Sequence, residues 1–370
     1  MTPDDRFYLE ERYLQRPRSA RLLPLFYRLK PLIPRTAQLR MRRLMARRQR
    51  HRHEAQGRFP RWPIEPLLVE QHEVLVRERL RRSGRPRIPL LGTWPRGHRF
   101  AWTVTHDVEG PKGIANVGPL LEIERRHGVV SGWFFVADDY RLDPEVFETV
   151  RAAGGEVALH GLHHDGRLFQ SREHFERQVP RIQWYLREWR AEGFRSPATH
   201  RNAAWMPELG ARYDSSFPDT HPFDAQPGGC CSILPYFLGD LVELPITLPQ
   251  DHTMFELLQE RDISLWREKS EWIADRGGLI TVLVHPDYAA SDERRRHYEE
   301  LLTFLCAMHG GWLALPREIA AWWRVRAALE DELGEDVADK QALAAAGAVS
   351  WWASERDGEI AIETEDHAHI

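Results

Sequence analysis

The chain has few cysteines and no long apolar segment. Only three of its 370 residues are cysteine, and Cys230 and Cys231 are adjacent, a spacing that rarely permits an unstrained disulfide. No apolar run approaches the roughly 20 residues of a membrane-spanning helix, and the segment from Met1 to Arg12 lacks the apolar core of a signal peptide. The sequence therefore predicts a cytoplasmic protein, soluble or peripherally attached to a membrane.

Acidic residues are absent between Arg12 and His53, a stretch crowded with arginine, although the formal net charge of the chain is -4. Within this stretch, residues 36–50 are predicted to form a basic helix with one apolar face, made of Ala37, Met41, Leu44 and Met45. Such a helix is expected either to lie on an anionic membrane or to pack on the protein as a solvated basic helix. It contains no recognisable motif for reading nucleic acid, and none is expected to bind.

The chain divides into three parts. Residues 1–95 form a basic arm broken by prolines, residues 96–330 form an α/β catalytic unit, and residues 331–370 form an acidic C-terminal extension. From Phe100 onward strand and helix patterns alternate, which predicts parallel strands with helices outside. The predicted strands are 100–107, 130–136, 156–160, 193–196, 241–244, 278–285 and 311–314. The predicted helices are 117–127, 144–153, 172–192, 264–276, 292–309 and 316–329. Residues 202–250 are predicted to be a long loop region at the mouth of the site.

Residues that can bind a metal or transfer a proton lie at or just after the ends of four of these predicted strands. They are Asp107 and Glu109, His160 and His164, Arg195, and His285. When several strands carry such residues at their C-terminal tips, the simplest arrangement is a barrel or open α/β sheet with one active site at that face.

The spacing of these residues suggests a metal site. His160 and His164 are four residues apart, so one helical turn would bring both imidazoles to the same ion. Near the end of a strand Asp107 and Glu109 point the same way, so that one carboxylate could bind the ion while the other serves as a base. Two histidines and a carboxylate match catalytic Zn²⁺, and Fe²⁺ or Co²⁺ would accept the same ligands. Taken singly, the histidine pair could be a chance spacing, the carboxylates a helix cap, and His285 a hydrogen-bonded barrel residue.

Taken in chain order, these motifs resemble those of the polysaccharide deacetylase family, also called carbohydrate esterase family 4. The resemblance covers about residues 100–323. It rests on the acidic pair after the first strand, the paired histidines, the segment Arg195-Ser196-Pro197 and the histidine after the late strand. It implies a distorted (β/α)7 barrel that removes acyl groups from amino sugars with a divalent metal.

The resemblance also implies a role for each residue. Asp107 would be the general base, Arg195 would position it, His285 would be the general acid, and the metal ligands would be Glu109, His160 and His164. The chain departs from the family where Asp107-Val108-Glu109 replaces two adjacent aspartates. The family's aspartate that supports the catalytic histidine has two candidates here, Asp214 and Asp251.

The expected activity is hydrolysis of an N-acetyl or N-formyl group on an amino sugar, in a cell-envelope glycan or its lipid-linked precursor at the inner membrane face. One alternative is an allantoinase-like amidase on the same scaffold, acting on a small nitrogenous compound. The other is a barrel without catalytic activity that binds glycan or partner proteins.

Overall fold

The computed structural model describes residues 3–14, 35–223, 226–333 and 340–364. The helices are α1 (Pro3–Leu9), α2 (Arg35–Glu54), α3 (Leu67–Ser83), α4 (Pro111–His127), α5 (Pro144–Ala152), α6 (Arg172–Glu188), α7 (Ser264–Asp275), α8 (Asp292–Ala307), α9 (Pro316–Leu333) and α10 (Lys340–Ala345), with a π-helix at His252–Leu258. The strands are β1 (Arg87–Leu91), β2 (Phe100–Val108), β3 (Ser131–Phe135), β4 (Glu156–Leu159), β5 (Gly193–Phe194), β6 (Tyr213–Asp214), β7 (Tyr236–Leu238), β8 (Leu241–Glu243), β9 (Leu279–Val284), β10 (Gly311–Leu313), β11 (Ser350–Arg356) and β12 (Glu359–Thr364).

A curled, mainly parallel sheet forms the centre of the molecule. Strands β2, β3, β4, β5, β6 and β8 are neighbours in that order, β7 pairs antiparallel with β8, and both β9 and β10 pair with β2. Beyond β8 the chain returns to β9, where the Leu248 amide donates to the Thr281 carbonyl over 3.3 Å. This closure gives a distorted α/β barrel and confirms the predicted fold class.

The barrel strands are buried on both faces, because helices cover the outside and side chains fill the inside. All nine residues of β2 and all five of β3 are buried. In β3, Trp133 and Phe135 join the apolar cluster under the helices, whereas Phe134 belongs to a separate cluster with Ala158 and Tyr213. This alternation follows the two-residue period of a strand, and parallel sheets covered on both sides need such continuous apolar runs.

The predicted strands lie within two residues of the observed ones and the predicted helices within six, but the long loop predicted for residues 202–250 was wrong at two places. Strand β6 continues the barrel wall after β5, and β7 forms a hairpin with β8. Strands of two and three residues are too short to display a period, and their pairing is decided by neighbouring strands.

The arm and the extension meet in a second, smaller sheet. Strand β1 pairs antiparallel with β11, which forms a hairpin with β12, and α3 packs on it through Val76 and Leu80. At the start of the chain, the buried carboxylate of Glu11 binds the buried guanidinium of Arg201 in the barrel. The basic helix predicted at 36–50 is α2. Among the described helices, none is both long and apolar enough to cross a membrane.

Candidate active site

The C-terminal ends of β2, β4, β5 and β9 bring all six residues selected from the sequence to one place. One ligand atom from each of Glu109, His160 and His164 lies within 4.8 Å of the others. The Nε2 atom of His285 is 3.7 Å from Oε1 of Glu109 and 4.0 Å from Oδ2 of Asp107. Strand-end placement therefore creates a compact cluster of two carboxylates and three imidazoles, with Arg195 beside it.

His160 and His164 converge through a loop and not through the helical turn that their spacing suggested. His160 follows β4 directly, and Gly161 reverses the chain with φ of +70° while Pro197 lies only 2.7 Å from where a Cβ would stand. Both requirements favour glycine. Asp139 then fixes the loop, since its carboxylate lies 2.7 Å from Nδ1 of His163 and accepts from the His164 amide over 2.6 Å. The helical explanation of the pair was wrong, although the convergence is observed.

The protonation of His160 suits a metal ligand. Its Nδ1 lies 3.1 Å from the Arg195 carbonyl oxygen, which can only accept, so Nδ1 carries the proton and Nε2 presents a lone pair. Nε2 is buried and has no hydrogen-bond partner among the residues that the structure describes. Burial lowers the pKa of His160 to about 4, and the neutral form is the one that binds metals.

Glu109 is held at both its backbone and its side chain. Its Oε1 lies 2.9 Å from Nε2 of His164, and its amide donates to Asp287, which also accepts from the Gly113 amide at the start of α4. Burial would raise the pKa of Glu109, but His164, at 2.9 Å, and the neighbouring His285 hold it below its usual range. An ionised carboxylate beside two imidazoles fits a divalent ion such as Zn²⁺.

Arg195 fixes the orientation and charge of Asp107. Its Nη1 donates to Oδ1 of Asp107 over 2.8 Å and to the Thr105 hydroxyl over 3.0 Å, while Ser215 accepts from the other side of the guanidinium. Burial would raise the pKa of Asp107, but the charges of Arg195 and, to a smaller extent, His160 and His285 lower it. Asp107 is therefore a carboxylate with Oδ1 bound to Arg195 and Oδ2 directed toward the histidines.

Asp251 is the partner of His285. It lies 2.6 Å from Nδ1 of His285 and accepts from the His285 amide over 3.0 Å. Burial would lower the pKa of His285, but Asp251 outweighs burial and raises it to about 10. The other candidate, Asp214, is instead bonded to Ser216 at the end of β6. Sequence reasoning left these two candidates open and missed Asp139 and Asp287, although both follow strand ends where polar residues are informative.

Solved structures of other proteins resemble this one, but the sequence comparisons give no match. No protein-family model matches the chain, and no curated protein matches it. A proposed polysaccharide deacetylase from Mycobacterium smegmatis superposes with a TM-score of 0.53 and 24% identity, over 66% of this chain and 96% of that one. A second such protein, from Pseudomonas aeruginosa PAO1, superposes with a TM-score of 0.50 and 17% identity, over 63% of this chain and 93% of that one. The allantoinase PuuE superposes with a TM-score of 0.51 and 15% identity, over 63% of this chain and 92% of that one.

These likenesses establish the architecture. The chain has the polysaccharide deacetylase fold, a distorted α/β barrel that the allantoinase also adopts. The family resemblance found in the sequence motifs is therefore confirmed at the level of the fold, over about two thirds of the chain.

Proposed function

We propose that the protein is a metal-dependent hydrolase that removes an N-acyl group, acetyl or formyl, from an amino sugar. The observation that carries this proposal is Nε2 of His160, which is buried without a hydrogen-bond partner among the described residues. It lies beside Glu109 and His164, and Asp107 and His285 are close to the same group. This nitrogen lies beside two further candidate ligands, and leaving it buried without a partner costs free energy that a bound ion would offset.

Glu109, His160 and His164 would hold the ion. Zn²⁺ is the best match to two imidazoles and one carboxylate, with Fe²⁺ and Co²⁺ as alternatives. When bound, such an ion polarises the acyl carbonyl and makes water more acidic. Asp287 and Asp139 contribute by fixing the backbone of Glu109 and of His164, as the outer partners of metal ligands commonly do.

Asp107 would accept the proton of the attacking water. A general base must be ionised and must have an oxygen free to receive the proton. Arg195 keeps Asp107 ionised and occupies only Oδ1. The remaining oxygen, Oδ2, faces the space shared with His160 and His285.

His285 would donate a proton to the leaving amine. An amine is a poor leaving group unless it is protonated, so amide hydrolysis needs an acid at this point. Asp251 keeps His285 in its protonated form and directs Nε2 toward the two carboxylates. Base and acid thus lie close together, with Oδ2 of Asp107 4.0 Å from Nε2 of His285, and no covalent intermediate is required.

We further propose that the substrate belongs to a cell-envelope glycan or its lipid-linked precursor, reached at the inner membrane face. Support comes from the outer side of α2, where Leu44 and Met45 are each 54% exposed and Arg48 and Arg52 are also exposed. Such a surface suits an anionic bilayer, which attracts each nearby basic residue by about 1 kcal/mol. Met41 is only partly exposed, and the side chain of Ala37 lies outside the described residues.

Flotation with liposomes tests this surface. The double variant Leu44→Ser/Met45→Ser should lose binding to vesicles containing phosphatidylglycerol, and the remaining binding should weaken with salt. Val74→Ser/Leu75→Ser, which changes a similarly exposed pair on α3, is the matched control. Equal flotation of both variants would remove the membrane role.

The catalytic proposal is tested by incubating purified protein with N-acetyl and N-formyl amino sugars, free and in oligosaccharides, and measuring the released acid and amine by mass spectrometry. Allantoin belongs in the same panel, because the likeness to the allantoinase favours a small cyclic amide as the second candidate. Release of acetate or formate that disappears in His160→Ala supports the deacylase. Turnover of allantoin alone would favour the second candidate, and an inert protein without bound metal would favour a barrel that only binds.

A further inference from the structure

The inner side of α2 contacts the π-helix that follows Asp251. Arg43 donates through Nε to the carbonyl oxygen of Glu256 over 2.8 Å, and Arg50 donates to the Glu260 carboxylate. Between them Ala46 is buried in an apolar cluster with Leu257 and Leu258. The arginines of α2 are thus divided between a side bound to the barrel and a side exposed to solvent.

The contacts lie at and just beyond the C-terminal end of the π-helix, His252–Leu258. The last turn of any helix leaves carbonyl groups unsatisfied, and cationic side chains there stabilise it. Arg43 supplies such a donor to Glu256. A π-helix is rare and is frequently found at functional sites.

The other end of the π-helix holds the candidate acid. Asp251 is its N-terminal capping residue and accepts from the His252 amide over 2.8 Å, while it also holds the ring and the amide of His285. Asp251 therefore connects the start of the π-helix directly to the ring and the backbone of His285. The path from α2 to the cluster runs through the ion pairs of Arg43 and Arg50 and the buried Ala46, then along the π-helix to Asp251 and His285.

We propose that Arg43 and Arg50 are positioning residues that set the place of His285 through the π-helix and Asp251, so that the arm is a working part of the active site. This inference rests on the proposed role of His285 as proton donor. It predicts a selective defect, since hydrolysis of an amide needs the proton and hydrolysis of an activated ester needs it far less.

The test compares Arg43→Ala/Arg50→Ala with Arg40→Ala/Arg42→Ala, which removes the same charge from exposed positions of the same helix. The first variant should lose about tenfold or more in kcat on an N-acetyl amino sugar, and should keep its metal content and its rate on an aryl acetate. The control should match the wild type on both substrates. Equal losses on amide and ester would overturn the inference.

Two measurements decide the inference without any turnover. Hydrogen exchange of backbone amides in residues 251–260 should accelerate in Arg43→Ala/Arg50→Ala and not in the control. The Nδ1 proton of His285, shared with Asp251 over 2.6 Å, should give a far-downfield proton resonance that Asp251→Asn identifies by its loss and that broadens or shifts in the first variant. Unchanged exchange and an unchanged resonance would overturn the positioning role, whereas an inactive wild type would overturn only the proposed function.

Discussion

Asp251 binds His285 twice, once at the ring nitrogen Nδ1 over 2.6 Å and once at the backbone amide over 3.0 Å. The first contact fixes which ring nitrogen faces the site, and the second ties the end of β9 to the start of the π-helix. Position and proton affinity of His285 therefore depend on one carboxylate.

Asp251→Asn should lower the pKa of His285, because the main charge that opposes the effect of burial is lost. His285 must be protonated to donate, so activity disappears as the pH rises through its pKa. The alkaline limb of the pH profile of kcat should therefore move to lower pH in the variant. Asp143→Asn, a change at the exposed cap of α5, is the control and should leave the limb in place. A limb at the same pH in both variants would separate His285 from proton donation.

The metal ligands are tested by metal content. Purified protein should hold about one divalent ion per chain, and His160→Ala and His164→Ala should each lose the ion together with activity. His309→Ala, at an exposed position after α8, should keep both. Full occupancy in the two ligand variants would refute the assignment of the site.

The two carboxylates should differ in what they support. Asp107→Asn should keep the ion and lose on the order of a hundredfold or more in kcat, as removal of a general base does. Glu109→Gln should instead weaken metal affinity, because an amide oxygen is a poorer ligand than a carboxylate. Metal titrations of both variants beside their kcat values distinguish the roles, and the opposite pattern would mean that the two are exchanged.

The positions of the site residues could be predicted because the sequence pattern marks where each strand ends. An apolar run of four to nine residues stops where polar chemistry begins, and parallel strands place those ends on one face. Asp107, His160 and His285 are all located by this rule. Arg195 was placed by the same rule, although the observed strand before it has only two residues. Its role beside Asp107 came from the resemblance of the motif.

The supporting residues were less accessible to sequence reasoning. Asp251 precedes a π-helix inside a segment without a clear period, so only the fold shows that it reaches His285. For α2, Arg43, Arg47 and Arg50 share a face at helical spacing, which a sequence can show. Their partners in residues 256–260 are more than 200 positions away, and nothing local connects the two segments. Tertiary contacts of this kind decided that the basic helix packs on the barrel.

A last prediction concerns stability at the opposite end of the barrel. Glu156 begins β4 and is buried, with Tyr213 and the Arg317 amide donating to its carboxylate. Burial outweighs these donors and raises its pKa to about 7. A carboxyl group whose pKa is higher in the folded than in the unfolded state stabilises the fold while it is protonated. That contribution is complete below the pKa of the group in the unfolded chain, near 4.3. It is lost as the pH rises through the pKa in the folded protein, about 7.

The wild type should therefore lose stability between about pH 5 and pH 8, by up to roughly 3 kcal/mol from this group alone. Glu156→Gln cannot ionise, and its amide can accept from Arg317 and donate to Tyr213 as the protonated acid does. The variant should melt near the wild type at pH 5 and several degrees above it at pH 8. Glu173→Gln, at an exposed acid on α6, should follow the wild type at both values. Parallel melting curves for wild type and Glu156→Gln across this range would show that Glu156 stays ionised when buried, and that its two donors outweigh the cost of burial.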